Sequence, residues 1–185
     1  KGGYESKYME LGPQVVKITN IKAGTSSKKG TPFVEIVAED KTGLTCTTNF
    51  YFAAGKNTEI SVQTLYNYIA ITNGLNIETE KDKVKATIGN FASYDDLASK
   101  LSTLLVGKPF AIVIKGEYVD NKDATKDSWV KGVLSSTVAT VANLGTLKHD
   151  PAKIIGKFVK GTGTSSTSVS GAQAQVSAPS TAAWN

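Results

Sequence analysis

Arginine is absent from this chain of 185 residues, so all 21 of its basic side chains are lysines. Bidentate reading of a guanine edge or of one phosphate depends heavily on the guanidinium fork, which this chain lacks. Any polyanionic partner would be held by mobile point charges, with weak sequence preference and strong salt dependence. Cysteine and histidine occur once each, as Cys46 and His149. That leaves no intrachain disulfide, no zinc cluster and no multi-histidine metal site, and gives a catalytic cysteine no base. No apolar run approaches the roughly 18 residues that span a bilayer, and the first residues carry no signal-peptide core. The expectation is a cytoplasmic protein that is not an enzyme, needs no cofactor or metal and does not enter a membrane. Against 16 acidic residues the lysines leave a formal charge of +5 and a pI near 9.1, which favours an anionic partner.

The most informative stretch runs from Val15 to Phe52. Runs rich in β-branched and aromatic residues predict strands over Val15–Ile21, Phe33–Ala38 and Leu44–Phe52, the last two joined by the turn Asp40-Lys41-Thr42-Gly43. The period then changes. Val62, Leu65, Tyr66, Ile69 and Leu75 are spaced for a helix with Ser61 as cap and Gly74 as stop. A second helix is expected over Tyr94–Val106, with Leu97, Leu101, Leu104 and Leu105 as its apolar stripe; Ser93 and Asp96 have capping-box spacing. Two further strands, Pro109–Val119 and Ser128–Val141, flank the polar loop DNKDATKD. Three strands, a helical insertion of two helices and a final hairpin give a mainly β chain, compatible with a five-stranded antiparallel OB-fold-like barrel over residues 13–160. An arm (1–12) precedes it, and from Gly161 an uncharged Gly/Ser/Thr/Ala-rich tail (161–185) follows.

Alternation assigns faces to the strands. Leu44, Cys46, Phe50 and Phe52 point inward, while Thr45, Thr47, Asn49 and Tyr51 face the other side. In the first strand Val16 and Ile18 oppose Lys17 and Thr19. In the second, Phe33 and Glu35 are placed on the outer, ligand-facing side. Lys115, Tyr118, Trp129 and Lys131 are expected to cluster in the last hairpin, with Trp129 equally able to pack in the core. Tyr4 and Tyr8 in the arm could clamp a ligand or pack across the barrel mouth. Lysines mixed with exposed rings suit single-stranded nucleic acid, which offers phosphates for the cations and bases for the rings.

The strand VVKITNIK, the loop SSKKGTPFVEI, the helix TLYNYIAITNGL and the hairpin GKPFAIVIKGEYV with WVKGV resemble the single-stranded DNA-binding proteins of bacteriophages, over roughly Val15 to Val141. The resemblance implies that Lys22, Lys28 and Lys29, in the first inter-strand loop, hold backbone phosphate. It also implies that Phe33, Tyr51 and Trp129 stack bases. The strand faces assigned above, not the resemblance, add Lys17, Lys115 and Lys131 to the groove, with Tyr118 from the hairpin cluster. The resemblance implies single-stranded DNA as partner, bound in replication, recombination or repair, with a possible homo-oligomer. In such proteins a flexible tail with an acidic, hydrophobic tip recruits replication proteins; here only Trp184 and the terminal carboxylate of Asn185 echo that tip, and the acidic run is missing.

Other chemistry finds little support. The loop GTSSKKGT lacks the Gly-Lys-Ser/Thr ending of a phosphate-binding loop and does not lead into a helix. His149 has no nucleophile elbow to serve and reads as a surface residue. The competing class is a structural or assembly protein of a virion, whose barrel packs against copies of itself.

Overall fold

The computed structural model describes residues 9–119, 125, 129–150 and 154. Five strands form one antiparallel sheet in the order β3-β2-β1-β4-β5: β1 (Gly12–Thr25), β2 (Pro32–Asp40), β3 (Thr45–Tyr51), β4 (Pro109–Val119) and β5 (Trp129–Ala139). Between β3 and β4 lie α1 (Lys56–Thr72), α2 (Lys81–Ile88) and α3 (Tyr94–Leu105); a 3-10 helix, Val141–Thr146, follows β5. A mainly β fold with a helical insertion is thus what the sequence forms, and its strand order is that of an OB-type barrel.

The barrel closes between β3 and β5 through side chains. The Cys46 thiol donates to the Gly132 carbonyl at 3.1 Å, and the Leu134 amide donates to the Thr48 hydroxyl at 2.8 Å. A ladder joins the other neighbouring strands. The interior is filled by Val16, Ile18, Ile21, Val34, Ile36, Ala38, Cys46, Phe50, Phe110, Ile112, Ile114 and Leu134, all buried. Ile18 and Ile21 both reach it because the β1–β2 register shifts between Ile18 and Asn20, an irregularity that bends the long first strand.

One end of the barrel is plugged by α1. Tyr68 is fully buried, with its ring 5.9 Å from Phe50 edge-on and 5.4 Å from Phe110, and its hydroxyl donates to the Ser135 carbonyl at 2.6 Å. Leu65, Ile69, Leu97, Leu101 and Leu105 bring the apolar stripes of α1 and α3 into the same core.

Several boundaries differ from the sequence expectation. The insertion holds three α-helices, not two: α2 turns only Val84 and Ile88 inward, and its charged run hides that short stripe. The first helix starts at Lys56, five residues before the expected cap; Ser61 lies buried inside it, its hydroxyl donating to the Tyr51 carbonyl at 2.8 Å. It ends at Thr72, just before Gly74, as expected. β1 begins at Gly12, and Met9 of the expected arm is part of the core. β5 ends at Ala139, two residues early. Tyr4, Tyr8 and the tail with Trp184 lie outside the described residues. Among the described residues no helix is long and apolar enough to cross a membrane.

Candidate nucleic-acid interface

The strand pleat sends alternate residues of β1, β2 and β3 outward, and the ladder sets them side by side. Phe33 on β2 is directly opposite Tyr51 on β3 and Gly24 on β1; Glu35 is opposite Asn49 and Lys22. The Phe33 and Tyr51 rings lie 5.5 Å apart at 60°, and Tyr51 is 41% exposed, among the few large apolar side chains of the described residues so open to solvent. The Tyr51 hydroxyl accepts a long contact from the Asn49 amide at 3.5 Å. The Phe33 ring lies on Gly24, where a Cβ would come within 2.5 Å of Phe33 Cζ. A glycine inside a strand here makes room for the ring that covers it.

The β1–β2 loop rises beside this pair. The Gly30 amide donates to the Ser26 carbonyl at 2.9 Å, the Ser26 amide to the Thr31 carbonyl at 2.8 Å and the Thr31 amide to the Ser26 hydroxyl at 3.0 Å. Gly30 takes a φ of +62°, which favours glycine. The closed loop carries Lys28 and Lys29, both exposed, just beyond the Thr25–Pro32 end of the ladder. Lys28, Lys29, Phe33 and Tyr51 are therefore brought to one end of one face. Lys22, expected in the loop, is instead inside β1, which runs on to Thr25 rather than ending at Ile21; it lies on the same outer face, opposite Glu35.

No protein-family model and no curated protein matches the chain.

The remaining candidates divide. Lys17 is on the same outer face as Lys22 but toward the far end of β1, opposite Glu39. Lys115 and Lys131 share the outer side of the last hairpin, and the Cys46–Gly132 contact sets Lys131 beside β3. Tyr118 departs from the expected cluster. Ladder pairs run without a shift from Ile114–Leu134 to Val119–Trp129, so Tyr118, paired with Val130, takes the opposite side of the hairpin from Lys115, Glu117 and Lys131. Trp129 heads β5 opposite Val119, and its side chain lies outside the described part. His149 is exposed, as expected.

Sequence reasoning missed the partners. Lys17 pairs with Glu39 at 3.7 Å, Lys22 with Glu35 at 3.0 Å and Lys131 with Glu117 at 3.8 Å, each across a ladder. Gly24 was missed as well, although an isolated glycine in a β-rich run is a visible sign of close approach. The inward thiol of Cys46 is no reactive site: burial pushes its pKa up to about 11, against smaller lowering by the Thr48 hydrogen bond and the Lys131 charge.

Proposed function

We propose that this protein binds single-stranded DNA without catalysis and with little sequence preference, using the outer face of β1, β2 and β3. The observation that carries the reading is the Phe33–Tyr51 pair, set on an OB-type barrel next to a loop that bears Lys28 and Lys29. Ring faces take up unpaired bases, and loop cations take up the phosphates that run past them. In the same reading the protein coats exposed strands during replication, recombination or repair in the cytoplasm, that of the host cell if it is phage-encoded. Its tail tip at Trp184 offers contact to other replication or recombination proteins.

The test is fluorescence anisotropy of labelled oligo-dT and a matching duplex, at about 50 and 300 mM salt. Selective binding of the single strand that weakens with salt is expected. Phe33→Ala and Tyr51→Ala should each weaken it further by about 1–3 kcal/mol, the worth of one stacked base. Absence of binding at the lower salt would sink the proposal and put self-assembly of the barrel first, to be read by sedimentation.

A further inference from the structure

Three of the four lysines borne by the strands are matched with a glutamate at the position directly opposite. Lys22 faces Glu35, Lys17 faces Glu39 and Lys131 faces Glu117, in ion pairs of 3.0, 3.7 and 3.8 Å. The glutamates are accessible, with side chains 21%, 36% and 53% exposed respectively. The fourth, Lys115, is exposed on the same side as Glu117. The sheet face is therefore nearly neutral along its length, whereas Lys28 and Lys29 stand off it, on the loop.

A duplex presents phosphates on its outside and hides its bases. Laid on this face, it would meet cations already satisfied by carboxylates and would bring its own charges against those carboxylates, an unfavourable like-charge contact. A single strand escapes the conflict. It can turn its bases to Phe33 and Tyr51 and hold its phosphates outward, toward the loop.

From this arrangement we propose that Glu35, Glu39 and Glu117 are specificity-determining residues that reject duplex nucleic acid and keep phosphates off the sheet, so that bases are what the face accepts. The proposal rests on the single-strand-binding reading above. It makes the glutamates a repulsive element; the attractive ones, the rings and the loop lysines, stay as they are.

The experiment uses the full chain and its variants Glu35→Gln, Glu117→Gln and the double substitution, with labelled oligo-dT and a matching duplex over a salt series. Freeing two lysines should raise duplex affinity about tenfold at low salt and steepen its log–log salt slope by roughly one unit per freed lysine. The affinity for oligo-dT should change much less, so the single-strand preference falls. Glu35→Asp, which keeps the carboxylate, should keep the preference. If either glutamine variant fails to fold, the other still carries the expectation, since the two pairs lie on different hairpins. An unchanged preference, or equal gains for both nucleic acids, in wild type and variants that bind oligo-dT would overturn the proposal alone. Failure of the wild type to bind oligo-dT would overturn it together with the reading beneath it.

Discussion

Gly24 shows how a single residue shapes the face. Its missing side chain leaves a shallow seat for the Phe33 ring, which in turn leans on Tyr51. A methyl group there would come within 2.5 Å of Cζ, 2.8 Å of Cε2 and 3.2 Å of Cε1, so the ring must move. Gly24→Ala is expected to cost about 1–3 kcal/mol of stability, the range for overpacking, and to weaken oligo-dT binding although it touches no ligand. Urea unfolding and anisotropy on one preparation would check both. A stable variant with unchanged binding would mean that the ring has a second seat of equal worth.

At the scale of elements, helix termini decide where the insertion begins and ends. Ser93 caps α3, its hydroxyl accepting from the Asp96 amide at 3.1 Å, while the Asp96 carboxylate accepts from the Ala92 amide at 2.9 Å. The first turn also carries Asp95, so both acids favour the positive end of the helix. Ser93→Ala should destabilise the protein by about 1 kcal/mol, and Ser93→Asp should restore most of the loss. Chemical denaturation of both variants tests this; equal losses would show that the hydroxyl is not the cap that matters. The cap was legible from spacing because its partners are three residues apart. The start of α1 was not, because Ser61 is spent on the carbonyl of Tyr51 in β3, a contact no local pattern encodes.

Closure is a property of the whole molecule. Only side chains join β3 to β5 among the described residues, so the Thr48 hydroxyl that accepts from the Leu134 amide is a seam of the barrel. Thr48→Val keeps the volume and strands that amide, an expected cost of about 1–3 kcal/mol with faster exchange of the Leu134 amide proton. Slow exchange there in the variant would show that the seam closes without the hydroxyl.

The buried acids set a limit on pH. Burial raises the Cys46 thiol from 9.0 to about 11 and the Tyr66 phenol from 10.0 to about 12, and it raises Tyr68 as well. The folded protein keeps protons that the unfolded chain releases, so stability is whole below about pH 9 and is lost as pH rises through the window from 9 to 12. Each group removes up to about 1.4 kcal/mol per pH unit there. The urea midpoint should stay level from neutral pH to just below 9 and then fall. Cys46→Ala should delay the onset by about one unit, because the buried tyrosines, whose ordinary value is 10.0, then set it; a wild-type midpoint still level near pH 11 would contradict the assignment.

Periodicity in the chain carried the strands, their inner and outer sides, the apolar stripes of α1 and α3, and the outward placement of Phe33, Glu35 and Tyr51, because each depends on neighbours only two to four residues away. Register across strands is different. Which lysine meets which glutamate, that Phe33 lies over Gly24, that Tyr118 turns from Lys115 and Lys131, and that β3 meets β5 through Cys46 and Thr48 depend on residues 9 to 86 positions apart. They were settled only when the sheet closed around its core, where a one-residue slip would have sent every inward side chain to water.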